Sequence, residues 1–214
     1  MALSGYNPEE VRNSINGVKN GYQELIAAIA DNMQHQFVDK MATTWASSDA
    51  QIFFNESFKP VVDQLISESN RVFESVVNSM NSAALAWAQE TNSPYAPNSF
   101  EIANRQMNVA AIMENIGGIR GIDLEQATAA ASSLSTVADA ANSALDKTCT
   151  AVQQCGFIGG NQSANLQGSL NQIRTNVSNA VREITAQVQQ AINRTVQNYS
   201  NTEGQISAAF AGNR

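Results

Sequence analysis

Apolar residues recur every three or four positions along most of the chain, which is the period of an amphipathic α-helix. The first two apolar stripes comprise Val11, Ile15, Val18, Tyr22, Leu25, Ile29, Met33, Phe37 and Met41, then Phe54, Phe58, Val61, Leu65, Val72, Val76, Met80, Ala83 and Trp87. The last two comprise Leu124, Ala127, Ala131, Leu134, Ala138, Ala141, Leu145 and Val152, then Leu166, Leu170, Ile173, Val177, Ile184, Val188, Ala191, Val196 and Tyr199. The pattern predicts four helices, each roughly 45 to 60 Å long.

Three segments interrupt the stripes. "ATTWASSDA" (42–50) separates the first two helices, and Ser47 or Ser48 is expected to cap the second. "QQCGFIGGNQS" (153–163) separates the last two. Prolines and glycines punctuate residues 92–122, which are expected to form a connector with a short helix between Ser99 and Asn115. Pro60, inside the second stripe, marks either a kink or a later helix start.

The order helix, short break, long helix occurs twice, and the aromatic residues at the two breaks, Trp45 and Phe157, are 112 positions apart. We therefore predict an all-α protein that arose by duplication. A first helical hairpin (1–91), the connector (92–122) and a second hairpin (123–214) would form one elongated antiparallel four-helix bundle. The alanine-rich third helix would allow close backbone approach.

Charge and hydropathy exclude several partners. The net charge is −7 and lysines and arginines are not clustered, so neither nucleic acid nor an anionic membrane is expected to bind. No run of 18 apolar residues is present, so no transmembrane segment is expected. The start of the chain, "MALSGYNPEEVRNS", lacks the basic and apolar regions of a classical signal peptide. This predicts either a cytoplasmic protein or export by another route.

The sequence shows little catalytic chemistry. The single histidine, His35, lies within the first helix and is expected at its solvent-exposed side. No G-x-S-x-G motif is present, and the glycine-rich "GFIGGNQS" lacks the lysine of a phosphate-binding loop. A metal site would need three or four ligands. We therefore expect no enzymatic activity, no cofactor and no bound metal.

Cys149 and Cys155 are six positions apart. They are either free buried thiols or the two ends of a small disulfide. A disulfide would require the chain to bend between them, because a continuous helix holds positions i and i+6 too far apart.

The first break, "W-A-S-S-D-A", resembles the turn of the WXG family, the small helical hairpins exported by type VII secretion systems. Their signature is Trp-X-Gly at the hairpin turn. Here Trp45 is followed by Ser47 at the glycine position, whereas "F-I-G" in the second half keeps Gly159 and has Phe157 instead of tryptophan. Family members are about half this length and form dimers of two hairpins. The resemblance implies that this chain is a monomer that mimics such a dimer.

The tail, "YSNTEGQISAAFAG", is similar to the C-terminal end of the early-secreted-antigen branch of this family. An export signal of the form Tyr-x-x-x-Asp/Glu follows the hairpin there, and Tyr199 and Glu203 match its spacing. A spacing of four places both side chains on one helix face. Alternatively, Tyr199 is only the last core residue before a helix end at Gly204.

The resemblance implies a secreted, non-enzymatic protein that acts as export substrate, adaptor or effector. Its tail would bind the motor ATPase of the secretion system, and other WXG-like or host proteins are further expected partners. Two alternatives remain open from the residues. Long helices rich in Ala, Asn, Gln and Ser are also typical of filament or surface proteins such as flagellin, and an extracellular sensor bundle ranks third.

Overall fold

The computed structural model describes residues 5–158 and 162–211 and is all-α, with four long helical segments, as the apolar stripes predict. The first segment (8–44) consists of α1 (Pro8–Ile26), two π-helical stretches (Ala27–Asn32 and Gln34–Val38) and α2 (Asp39–Thr44). The second (48–91) consists of α3 (Ser48–Ile52), a π-helical stretch (Phe53–Phe58) and α4 (Lys59–Thr91). The third is α5 (Leu124–Gln153) and the fourth is α6 (Gln162–Ala211).

Polar caps fix where three of these segments begin. Asn7 accepts hydrogen bonds from the backbone N–H groups of Glu9 and Glu10 at the start of α1. The hydroxyl of Ser47 accepts from Ala50 N at 3.0 Å, which confirms it as the cap of the second segment. Asp123 caps α5 in the same way. These contacts satisfy amide donors that have no partner within the helix.

Pro60 does not delay the start of the second segment, which is helical from residue 48 onwards. Proline lacks a backbone N–H, and its ring collides with the carbonyl group four residues earlier in a regular α-helix. The π-helical stretch Phe53–Phe58 ends directly before Lys59 and Pro60. Its wider turn, with hydrogen bonds from i to i+5, accommodates the ring without ending the helix.

The first segment and α5 run in opposite directions along each other. The Ser14 hydroxyl donates to the Gln154 carbonyl oxygen at 2.7 Å, and the Ser133 hydroxyl donates to the Gln36 carbonyl oxygen at 3.0 Å. Early residues of one segment thus contact late residues of the other.

The second segment and α6 also run in opposite directions. Asn176 Nδ2 donates to Glu68 Oε2 at 2.9 Å, and Asn198 Nδ2 donates to Asp49 Oδ2 at 3.2 Å. Buried apolar residues from all four segments form one continuous core. Two stripe positions, Leu124 and Val196, are instead exposed.

Small residues bring α1 and α5 unusually close together. A Cβ atom placed on Gly17 would lie 2.7 Å from the Cβ of Ala151, and one on Gly21 would lie 2.0 Å from Thr148 Oγ1. Real side chains cannot approach this closely, so the contact requires glycine at both positions. The alanine-rich third helix therefore does allow close backbone approach.

Four two-residue strands join the halves crosswise. β2 (Trp45–Ala46) pairs with β3 (Gly121–Ile122), which leads into α5, and β4 (Phe157–Ile158) pairs with β1 (Gly5–Tyr6), which leads into α1. The same extra hydrogen bond accompanies both pairs. Asp123 N donates to the Thr44 carbonyl oxygen and Asn7 N to that of Gly156, each at 2.8 Å. The break of each half is thus closed by the entry strand of the other.

The connector contains no helix between Ser99 and Asn115, so that expectation was wrong. It lies as an extended strap across the first and second segments. Helix side chains satisfy its backbone: Asn81 bonds both the N–H and the carbonyl group of Asn98, and Asp63 accepts from Met107 N at 2.8 Å. Since these partners replace internal helical hydrogen bonds and Met107 becomes buried, the extended form is stable without a helix.

The expected helix end at Gly204 was also wrong, because α6 continues to Ala211. Glycine inside a helix costs only about 1 kcal/mol relative to alanine. The residues after Gly204, "QISAAFA", include three alanines, which favour helix. Gly204 therefore does not stop the helix.

Candidate functional site at the first break

Trp45 is wholly buried at the first break, with none of its surface exposed. Its ring stacks on Phe53 at a centroid distance of 6.3 Å. Its indole N–H donates to Thr195 Oγ1 of α6 at 3.2 Å, so the one polar atom of the side chain is satisfied. Trp45 thus ties the first break to the fourth helix.

An aromatic cluster surrounds this position. Phe37, Phe54 and Phe58 are fully buried beside Phe53, and neighbouring ring centroids in the cluster lie between 4.9 and 6.5 Å apart. All of these rings except Trp45 belong to π-helical stretches. The break is therefore a rigid, densely packed end of the core.

Ser47, two residues after Trp45, has an unstrained backbone. Its φ of −162° and ψ of 164° are ordinary extended values that any residue adopts. Its hydroxyl caps the following helix, which a glycine could not do. The backbone at Ser47 therefore does not require glycine, and the serine hydroxyl supplies a helix cap.

Tyr199 docks on the same break. Its hydroxyl donates to the Ala46 carbonyl oxygen at 3.5 Å, and the side chain is half-buried. Desolvation by this burial raises the pKa of the Tyr199 phenol. One residue earlier, Asn198 donates to Asp49 Oδ2, and the Thr195 hydroxyl lies 3.3 Å from the same carboxylate oxygen. The fourth helix thus brings the turn motif and the first residue of the tail motif together.

A small polar pocket lies where they meet. It has a volume of about 140 Å³ and is lined by Ser47, Ser48, Asp49, Arg120, Thr195, Asn198 and Tyr199. Arg120 comes from the end of the connector and pairs with Glu114 at 2.6 Å. Asp49 and Arg120 give the pocket one charge of each sign.

Sequence reasoning missed four members of this site, Asp49, Arg120, Thr195 and Asn198. Asp49 lies in the first turn of α3, where the helix dipole favours an acidic side chain. Thr195 could have been identified from the sequence, because it is a polar residue inside the fourth apolar stripe, and the structure buries it fully. A buried hydroxyl needs a partner, and the partner proved to be Trp45.

Glu203 lies in α6 one turn beyond Tyr199, and the structure describes its backbone only. At the second break, the Phe157 backbone forms β4, its side chain is not described, and Gly159 lies outside the described residues. The two breaks share their backbone pairing. Only the first has described side-chain contacts with the tail.

Both cysteines are free, so the disulfide alternative was wrong and the free-thiol alternative holds. Cys149 lies within α5, which continues to Gln153, whereas Cys155 is buried beyond its end. The helix thus persists through most of the interval between the two cysteines. Burial raises the pKa of the Cys149 thiol, which keeps it protonated and weakly reactive.

Other candidate chemistry is sparse. His35 is exposed, as expected, and its Nδ1 lies 3.0 Å from Asp39 Oδ2. Among the described residues, no group of three or more His, Cys, Asp or Glu side chains could hold a metal ion. In the same ranges, none of the helices combines the length and hydropathy that crossing a bilayer requires.

Comparison with known proteins adds no relative. No family model, curated protein or solved structure matches the chain.

Proposed function

We propose that this chain is a secreted, non-enzymatic helical protein of the type VII secretion kind, in which two WXG-like hairpins are fused. The two hairpins together form one elongated four-helix bundle that replaces the usual dimer. The observation that supports this most is the crosswise strand pairing of the two halves.

The pairing has the form that a symmetric dimer would have. A dimer of identical hairpins makes each interface contact twice, once in each direction. Here the N–H of the residue after each entry strand donates to the carbonyl oxygen of the residue before the strand of the opposite break, at 2.8 Å in both cases. The two contacts join residues from different halves, so each half completes the end of the other.

A fused dimer should need no second copy. We therefore expect light scattering coupled to gel filtration to give a monomer of 22.9 kDa at all concentrations tested. A stable dimer would contradict the proposal, because it would mean that the two halves leave apolar surface uncovered. Concentration-dependent polymers would instead support the filament alternative.

We further propose that the first break and the tail form one export surface for the motor ATPase. Tyr199 is held against the break by its contact with Ala46 and by its neighbours on α6. Glu203 follows four positions later, and a spacing of four places two positions on the same face of a helix. A rigid helix presents both groups without an ordering cost at binding.

We expect Tyr199→Ala and Glu203→Ala each to abolish appearance of the protein in the culture supernatant of a bacterium with a type VII system, and to weaken binding to the motor ATPase at least tenfold. Gln197→Ala, at an exposed position of the same helix, is the matched control and should be exported normally. Circular dichroism should show equal helix content in all three variants.

Deletion of residues 199–214 gives the decisive negative test. If the shortened chain is still exported and still binds the motor ATPase, the export surface does not include the tail. If the wild-type chain itself stays inside such cells, the type VII assignment is wrong.

A further inference from the structure

The connector crosses the first half in a groove that has a structural counterpart in the second half. Asn7 caps α1 and Asp123 caps α5, and both follow an entry strand. Tyr22 and Ala138 each lie fifteen residues after their cap, so they occupy equivalent positions on the two helices.

At Tyr22, the extended connector inserts an aromatic side chain. The Tyr22 ring contacts Phe73 of α4 at 5.3 Å and Phe100 of the connector at 4.8 Å, measured between centroids. The Tyr22 hydroxyl accepts from Ala103 N and donates to Asn70 Oδ1, both at 2.7 Å. Desolvation at this contact raises the pKa of Tyr22.

Asn70 completes the grip on the connector. Its Nδ2 donates to the Ala103 carbonyl oxygen at 3.3 Å. One side chain from each helix therefore bonds the backbone of the extended segment, and the Tyr22 ring packs against Phe100. This is a peptide-binding groove that the chain fills with its own connector.

The second half has a groove at the same place. Ala138 of α5 lies with Arg182 and Thr185 of α6 along a cleft of about 440 Å³, which we call the α5–α6 groove. Arg182 and Thr185 are three positions apart, as Asn70 and Phe73 are, and each lies 112 positions after its counterpart. Small side chains thus replace Tyr22 and Phe73, and the walls at Arg182 and Thr185 are exposed.

Two buried polar atoms without a hydrogen-bond partner lie outside the lining of the groove, toward the Gln153 end of α5. Asn142 follows Ala138 by one helical turn, and its Oδ1 is buried without a hydrogen-bond partner. Arg174 lies eight positions before Arg182 and pairs with Asp146, but its Nε is likewise buried and unpartnered. Buried polar atoms are rarely left unsatisfied in folded proteins.

We propose that the α5–α6 groove binds an extended peptide segment of a partner protein, which inserts one bulky aromatic side chain between Ala138 and Thr185. Arg182, at the position of Asn70, donates to a backbone carbonyl group three residues after the inserted side chain. We propose an extended segment because the equivalent groove of the first half binds one, the connector. It does not depend on the export proposal.

The probe is a labelled synthetic peptide with the sequence of residues 97–109, "PNSFEIANRQMNV", added to the full chain. We expect saturable one-to-one binding in fluorescence anisotropy. The same peptide with Phe100→Ala should bind at least tenfold more weakly, because the inserted ring is lost. Absence of saturable binding by the unaltered peptide would overturn the proposal.

Variants of the protein test whether the peptide binds in the α5–α6 groove. Ala138→Tyr fills the groove and should abolish binding, whereas Thr136→Tyr adds the same ring at an exposed position nearby and should not. Should Ala138→Tyr unfold the chain, Arg182→Ala replaces an exposed residue and is expected to weaken binding about tenfold. Binding unaffected by the groove variants would mean exchange with the connector in the first half and would refute the proposal. A dimer that Ala138→Tyr disrupts would identify a second copy as the occupant and would equally refute it.

Discussion

Trp45→Ala is expected to lower the free energy of unfolding by about 4 kcal/mol, within the range for removing a large aromatic side chain from a core. The side chain is wholly buried, and its removal would leave a cavity bordered by Phe53 and Phe54. It would also leave the Thr195 hydroxyl without its indole donor. The substitution leaves Trp87 as the one tryptophan, so the fluorescence signals of the variant and the wild type are not comparable. Unfolding in urea should therefore be followed by circular dichroism.

Trp45→Phe separates the packing of Trp45 from its hydrogen bond, and Trp87→Ala is the control at the second tryptophan. Trp45→Phe keeps most of the ring volume and loses the indole donor, so we expect a smaller loss of about 1 to 2 kcal/mol. Trp87→Ala, at a half-buried position near the end of α4, should cost clearly less than Trp45→Ala. A loss below about 1.5 kcal/mol for Trp45→Ala would show that the break is not a structural part of the core.

The helices could be predicted from the sequence because their determinants are local. Apolar spacing and capping side chains act within a few residues of one another, as at Ser47, whose hydroxyl bonds Ala50. The exception at Gly204 has the same origin. A glycine weakens a helix by only about 1 kcal/mol, so its neighbours decide whether the helix ends.

The connector could not be predicted because its partners are distant in the sequence. The segment around Ala103 is held by Tyr22 and Asn70, and Asn98 is held by Asn81. Its local pattern of polar and apolar residues fitted a short helix. The hydrogen bonds supplied by the packed helices outweigh this weak preference.

The sequence indicated the separate parts of the candidate site, but not that they lie together. Trp45, Ser47 and Tyr199 each stood out by residue type and position. That Tyr199 contacts the first break, rather than the second break of its own hairpin, depends on how α6 packs along the second segment. Only Thr195, a polar residue inside an apolar stripe, hinted at this contact.

Gly21→Ala is expected to lower the free energy of unfolding by about 2 kcal/mol, although alanine favours helix over glycine by about 1 kcal/mol. The added Cβ would lie 2.0 Å from Thr148 Oγ1 and 3.2 Å from the Ala144 carbonyl oxygen. Thr148 is fully buried, and its hydroxyl donates to the same carbonyl oxygen at 2.8 Å, so it has little room to move. Urea denaturation followed by circular dichroism measures the change.

Gly168→Ala is the matched control, because its Cβ would meet nothing within 4 Å and the site lies in α6. Helix propensity acts alone there, so we expect a gain of about 0.5 to 1 kcal/mol, opposite in sign to Gly21→Ala. Thr148→Ala removes the colliding oxygen, and the double variant with Gly21→Ala should recover at least about 1 kcal/mol relative to additivity. If both glycine variants stabilise the chain and the double variant is additive, α1 and α5 do not approach as closely as the seam of Gly17, Gly21, Thr148 and Ala151 requires. The joining of the two halves would then rest on the paired strands and on side-chain hydrogen bonds such as those of Ser14 with Gln154 and Trp45 with Thr195.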